Sequence, residues 1–158
     1  MSEVVNVRLA KEEDVDFICE ANVAMATETE DLGLNQETLR QGISYLMEHP
    51  REGMYLVAEV NGTAAGTLMV TFEWSDWRNG RFWWIQSVYV HEEFRRLGVY
   101  SAMHHYVRSI ARKDPQACGI RLYVERENES AQATYLALGM FETHYRLFEE
   151  GLSGGSTE

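Results

Sequence analysis

The run Val88-Tyr89-Val90-His91-Glu92-Glu93-Phe94-Arg95-Arg96-Leu97-Gly98-Val99-Tyr100-Ser101-Ala102-Met103 decides how the rest of the chain is read. It opens on β-branched and aromatic residues that favour a strand. It passes through two arginines and a glycine, and closes on an amphipathic helix. That predicted helix, Gly98–Lys113, carries Val99, Met103, Tyr106, Val107 and Ile110 on one face. A strand that feeds the open N-terminus of a helix makes an anion site. The first backbone N–H groups of the helix have no partner, and the helix dipole places partial positive charge there. Arg95 and Arg96 add full charges beside it. Such an assembly fits a pyrophosphate.

The 158 residues are enough for one domain with a real core, and 45% hydrophobic and 25% charged residues are those of an ordinary globular protein. The expected organisation is a single domain over residues 1–150 with a disordered tail at 151–158. The formal charge of −11 argues against a nucleic-acid binder, because phosphate contacts dominate that affinity. A negative field instead attracts a cationic small molecule or a basic peptide. No apolar run is long enough to span a bilayer. The N-terminus lacks the pattern of a signal peptide. Two cysteines, Cys19 and Cys118, stand far apart, which suits a reducing compartment such as the cytoplasm.

Outward from the central run, periodicity predicts a strand at Val4–Leu9 and a helix at Glu12–Thr27. A second helix, Thr38–Glu48, follows an Asn35 cap. Strands Met54–Val60 and Thr63–Trp74 meet at Asn61-Gly62, a strong hairpin signal. Phe82–Val90 is the next strand. Beyond the central helix come a strand at Ile120–Glu125 and a helix over Glu129–Leu138, capped by Asn128 and stopped by Gly139. A last strand is expected at Met140–Phe148. The order β-α-α-β-β-β-α-β-α-β predicts an α/β fold with a mixed sheet and helices on both faces.

Two blocks in this layout resemble those of the GNAT superfamily of N-acetyltransferases. Arg95-Arg96-Leu97-Gly98-Val99-Tyr100 is similar to its Q/R-x-x-G-x-G/A acetyl-CoA motif, with Tyr100 at the usual Gly or Ala. Asn128-Glu129-Ser130-Ala131-Gln132-Ala133-Thr134-Tyr135-Leu136-Ala137-Leu138-Gly139-Met140 is similar to its N-x-x-A-x-x-x-Y-x-x-x-G-F element, with Met140 in place of Phe. The resemblance runs over residues 4 to 148 and implies a mostly antiparallel sheet of six or seven strands. It implies acetyl-CoA as acyl donor, an amine acceptor, and direct transfer in a ternary complex. By the same resemblance, the backbone of Val88 and Val90, with Tyr89 between them, would pair with the pantetheine arm at a splay in the sheet. The N–H groups of Arg96, Gly98, Tyr100 and Ser101 would cradle the pyrophosphate, with Arg95 and Val99 in the same loop. Asn128 would meet the cofactor arm, and Tyr135 would bind there and act as general acid.

The base is less plainly written. At neutral pH roughly one alkyl amine in a thousand is uncharged, an expense of about 4 kcal/mol. Many relatives carry a glutamate on the strand equivalent to Phe82–Val90, and this strand has none. Counted in twos, Trp84, Gln86, Val88 and Val90 share a face, with Gln86 its polar member. The carboxylates that remain are Glu28, Glu30, Asp31 and Glu125, which would act through ordered water. Glu28, Glu30, Trp84 and Gln86 are the expected substrate contacts. The aromatic segment Trp74–Trp84 serves either as core and dimer interface or as an acceptor pocket in which aromatic faces hold an ammonium group.

His91-Glu92-Glu93-Phe94-Arg95 begins like a zinc-protease motif but has arginine in the fifth position, so no metal is expected. A homodimer is expected. The competing expectation is a non-catalytic acyl-CoA-binding or regulatory module with the same fold.

Overall fold

The computed structural model describes residues 4–30 and 33–152. Strand β1 spans Val5–Leu9, helix α1 Val15–Glu30, α2 Gln36–Glu48, β2 Gly53–Val60, β3 Thr63–Ser75, β4 Gly80–Val90, α3 Val99–Arg112, β5 Ala117–Arg121 and α4 Glu129–Ala137. Short 3-10 turns at Glu12–Asp14 and Glu92–Phe94 lead towards α1 and α3. The chain forms two compact units, one up to Tyr123 and one from Val124 onward.

In the first unit the sheet order is β1-β2-β3-β4-β5. β1 to β4 pair antiparallel and β5 runs parallel to β4. The β2–β3 turn holds Asn61 at φ 51 and Gly62 at φ 85, the two positive values that a tight hairpin turn demands. One face of the sheet carries Leu56, Leu68, Val70, Trp83 and Ile85, packed on Val99, Met103 and Val107 of α3. The other carries Tyr55, which with Ile18 of α1 and Ile43 and Leu46 of α2 makes a second, smaller core. Each such side chain contributes about 1.5–3 kcal/mol when fully buried. Helices therefore lie on both faces, as expected.

The start of α1 is fixed by charge. Arg8 on β1 reaches Asp14 through both terminal nitrogens, at 2.7 and 3.0 Å, and Glu59 on β2 at 3.0 Å. Asp14 also accepts from the Lys11 N–H at 2.7 Å. Tying the Asp14 carboxylate back in this way makes residues 12–14 a 3-10 turn, and the α-helix begins only at Val15.

Three expectations are corrected. Among the described residues the sheet has five strands, not six or seven. The strand expected at Ile120–Glu125 lies instead at Ala117–Arg121: its pairing with β4 starts earlier, at Ala117 opposite Arg81, and the chain leaves the β4 ladder after Arg121 opposite Trp84. Met140–Phe148 forms no strand: a strand is held by a neighbour's backbone, and none pairs with it here. The element order is thus β-α-α-β-β-β-α-β-α. The tail reading at 151–158 falls outside the described residues from Ser153 on. No helix among the described residues is long and apolar enough to cross a membrane.

Candidate active site

β4 is laddered on both sides only over its first half. β5 accompanies it from Arg81 opposite Ala117 to Trp84 opposite Arg121. β3 continues alongside to Val90. Past Trp84 the sheet therefore opens on one side of β4, where main-chain groups are placed to pair with an extended ligand arm.

Within the open half sits a bulge. Met69 faces Gln86 and Thr67 faces Tyr89, so Ser87 and Val88 together oppose the single residue Leu68. Ser87 takes φ 53 to make this fit. The extra residue moves the alternation by one place. Trp83, Ile85, Val88 and Val90 all pack into the core under α3. Trp84, Gln86 and Tyr89 take the opposite face. The straight count in twos, which grouped Val88 and Val90 with Trp84 and Gln86, is corrected here. A bulge leaves no mark in hydrophobic periodicity when Val stands on both sides of it.

β4 hands the chain to a sharply folded loop. Arg96 adopts φ 67 and Gly98 φ 78. A left-handed arginine costs on the order of 1–2 kcal/mol, whereas glycine carries no such penalty. A methyl group added at Gly98 would meet nothing within 4 Å, so the space over this turn is open. The first bond of α3 runs from the Ala102 N–H to the Gly98 carbonyl at 3.0 Å. The amides of Val99 and Ser101 precede it, at the positive end of the helix dipole. Val99 anchors the turn with a buried side chain. Tyr100 sends its hydroxyl along the helix to within 3.0 Å of His104 Nδ1, so its bulk runs toward the next turn. His104 is 1% exposed, and burial pushes its pKa down to about 4. The ring is neutral at physiological pH.

Of the two loop arginines, Arg96 is exposed and Arg95 is engaged. Arg95 Nη2 meets Glu28 Oε1 at 2.7 Å, and its Nε donates to the Val90 carbonyl at 2.8 Å. Glu28 Oε2 accepts from the Tyr89 hydroxyl at 2.7 Å, and Arg95 lies over the Tyr89 ring. Arg95, and then Tyr89, hold the Glu28 carboxyl below the usual carboxylate range. Glu28 is a fixed anion, and its lowered pKa makes it a weak base. Three sequence-predicted residues, Glu28, Tyr89 and Arg95, are thus brought into one bonded group.

Trp84 and Gln86 share their face with polar neighbours that the sequence analysis missed. Trp84 Nε1 donates to Glu73 Oε1 at 2.9 Å, and Arg121 donates to the same oxygen at 2.9 Å. Gln86 donates through Nε2 to Thr71 Oγ1. Tyr123 tilts against Trp84 with ring centroids 6.1 Å apart. Thr71 and Glu73 face β4 through the β3–β4 register, which the hairpin count could have supplied. Trp83 is buried against Phe72, edge to face at 5.2 Å. Trp77, at the hairpin tip, is 88% exposed. Glu30 closes α1, and Asp31 lies outside the described residues.

The second unit carries the remaining candidates on one helix. Asn128 caps α4, its side-chain oxygen accepting from the Ala131 N–H at 3.1 Å. Its NH2 is the group left to donate to a ligand. Tyr135 follows seven positions later, on the same side of the helix. Burial pushes its phenol pKa up, so it stays protonated at neutral pH. Glu125 Oε2 is used within the preceding turn, accepting from the Glu127 N–H at 2.8 Å.

The acetyltransferase (GNAT) family model matches residues 15–140, four-fifths of the chain. The chain belongs to the GNAT acetyltransferase family. A crystal structure of a possible acetyltransferase from Clostridium difficile 630 is 42% identical to it, with a TM-score of 0.86 over 95% of this chain and 99% of that one. Two more distant structures share the fold. A predicted acetyltransferase from Clostridium acetobutylicum, solved with acetyl-CoA, is 18% identical, with a TM-score of 0.75 over 93% of this chain and 96% of that one. An aminoglycoside N-acetyltransferase in complex with CoA is 14% identical, with a TM-score of 0.75 over 96% and 97%. The comparison with curated protein sequences finds no match.

Proposed function

We propose that this acetyltransferase takes its acetyl group from acetyl-CoA and passes it to a primary amine of a small molecule or peptide, by direct transfer in a ternary complex. One observation carries the reading. β4 loses its parallel neighbour after Trp84, and its open half runs directly into the left-handed turn at Gly98 and the N-terminus of α3. That is a backbone edge for an extended arm, followed by an anion cradle. The residues fit the donor: open space lies over Gly98, and the exposed Arg96 stands beside it. When bound, acetyl-CoA supplies an activated thioester.

The chain's own groups then have these roles. The backbone of Val88, Tyr89 and Val90 pairs with the pantetheine arm. Amides of Arg96, Gly98, Val99, Tyr100 and Ser101 hold the pyrophosphate, each contributing about 0.3–1 kcal/mol where exposed. Arg95 adds its charge once it leaves Glu28. Asn128 donates to the donor arm through its NH2. Trp84 and Gln86 line the acceptor side, and Glu28 and Glu30 draw the amine's positive charge. The amine's surplus proton leaves through ordered water, since Gln86 cannot accept it and Glu28 is held ionised by Arg95. Tyr135, protonated at neutral pH, gives its phenolic proton to the departing sulfur as the carbon–sulfur bond breaks, and regains one from solvent.

The test is thiol release from acetyl-CoA with a panel of diamines, amino acids, aminoglycosides and basic peptides. Turnover that is lost in Tyr135→Phe while coenzyme A binding is retained supports the enzyme. The second reading, a non-catalytic acyl-CoA-binding module, is favoured by one feature: the polar residue on the acceptor face of β4 is Gln86, tied to Thr71, where many relatives place a carboxylate. Binding of acetyl-CoA with no turnover on any amine selects that reading. No binding at all overturns both. A cytoplasmic location accompanies either reading, with no metal, nucleic acid or membrane partner.

A further inference from the structure

The sheet face that carries Trp84 and Gln86 also carries a carboxylate that the proposed chemistry does not use. Glu73, on β3, stands opposite Phe82 and diagonal to Trp84. Two donors converge on its Oε1, the Trp84 indole Nε1 and Arg121 Nη1, both at 2.9 Å. Arg121 is itself held, with its guanidinium 3.6 Å over the Phe82 ring. Phe82 in turn lies on Gly119, where an added methyl group would come within 2.7 Å of the ring. The carboxylate is thus fixed through one oxygen, while its Oε2 forms no hydrogen bond with a described residue. The Glu73 side chain is 47% exposed against 25% for Arg121, so the anion rather than the cation is the group offered to water. The rings of Trp84 and Tyr123 tilt together beside it, 6.1 Å apart. A fixed carboxylate oxygen next to aromatic rings suits an alkylammonium group, which is drawn by the oxygen's charge and by the ring faces alike.

We infer that Glu73 selects the acceptor by holding a second positive charge on it, so that the substrate is a linear diamine. This rests on the acetyl-transfer reading for the place of the reacting amine, beside Gln86, and adds the substrate class. Two residues of β4 separate Gln86 from Trp84 and four separate it from Phe82. The second charge therefore lies about 7–13 Å from the first, the reach of an extended diamine. An amine without a second charge leaves Glu73 Oε2 to water and gains nothing from it. The chain's formal charge of −11 draws a dication in more strongly than a monocation.

The test measures acetyl transfer to diaminopentane and diaminooctane, each beside the monoamine of equal length, in the full wild-type chain and in Glu73→Gln. The amide keeps an oxygen for Trp84 and Arg121 and removes the charge. The wild type is expected to favour a diamine over its monoamine about ten- to hundredfold in kcat/KM, the worth of a hydrogen bond to a charged group, and Glu73→Gln to lose that ratio through KM. In parallel, the indole N–H resonance of Trp84, assigned with Trp84→Phe, is expected to move when the preferred diamine is titrated in the presence of coenzyme A, and to stay in place with the monoamine. Equal kcat/KM for diamine and monoamine at both lengths overturns the inference and leaves acetyl transfer standing. So does a preference that survives in Glu73→Gln, or a variant that slows both amines alike, as a merely structural residue would. Turnover of no amine, with the Trp84 resonance moved by a diamine alone, overturns acetyl transfer and leaves the dication site standing. A resonance that neither diamine moves overturns the site. That measurement needs no variant at Glu73, so it decides the matter even if Glu73→Gln does not fold.

Discussion

The β4–α3 junction and the segment after α4 are both unfinished, and in opposite ways. At the junction, backbone hydrogen-bonding capacity is left open while the side chains are settled. Val88, Val90 and Val99 are packed into the core, and Tyr100 is turned toward His104. After α4 the reverse holds: large apolar side chains stand in water. Open main-chain groups suit a small polar ligand, which can supply matching donors and acceptors. Open apolar side chains offer no such matching and contribute area alone. On the acetyl-transfer reading, the first region is filled and emptied at each turnover.

Four experiments probe the acetyl-transfer reading that rests on the junction. The largest expected effect is on chemistry. Tyr135→Phe should lower kcat by about 10²–10⁴ at unchanged coenzyme A affinity, measured by thiol release beside calorimetric binding; an equal loss in both would make Tyr135 a binding group only. Next is the support beneath the junction. His104 titrates at about 4 in the folded chain and near 6.5 when unfolded, so as pH falls the unfolded chain takes up the proton first. Stability should be complete above pH 6.5 and fall by about 3 kcal/mol toward pH 4. Denaturant midpoints across that range should show the loss, and His104→Gln should flatten it.

Third, Gly98→Val should weaken coenzyme A binding by about five- to thirtyfold, because a β-branched residue resists the left-handed backbone by about 1–2 kcal/mol. A full-strength Kd would mean that the cradle does not depend on that turn. The smallest effect is expected at Glu28→Gln. Freeing Arg95 from a largely exposed pair, worth about 0–1 kcal/mol, should tighten coenzyme A binding by up to about fivefold and make it fall more steeply with salt.

Much of the fold was legible because its signals are local. Asn61-Gly62 gave the hairpin, Asn35 and Asn128 gave the caps, and the Val99, Met103 and Val107 spacing gave the core face of α3. The left-handed turn before α3 was legible for the same reason: Gly98 between a strand and a helix is a local signal. What failed was set by partners distant in sequence. The alternation at 140–148 is a sound strand pattern, but pairing depends on a second backbone that periodicity does not contain. The Arg95–Glu28 bond links residues far apart in sequence, and nothing in the loop's own residues announces it. Thr71 and Glu73 became visible only through β3–β4 register.

The extra residue at Ser87 has a consequence for how this strand tolerates change. Flattening the bulge with every residue kept would return β4 to strict alternation and rotate Tyr89 by half a turn into the hydrocarbon interior beneath α3. Glu28 would then lose its phenolic donor, and Val88 and Val90 would turn outward. Deleting Ser87 instead sets Val88 alone opposite Leu68 and leaves Tyr89 opposite Thr67, so a frame-preserving deletion of that codon should keep both faces and do less harm than a β-branched residue at Ser87, which resists the left-handed backbone. One unpaired amino acid lets a single β-strand serve two different walls along its length.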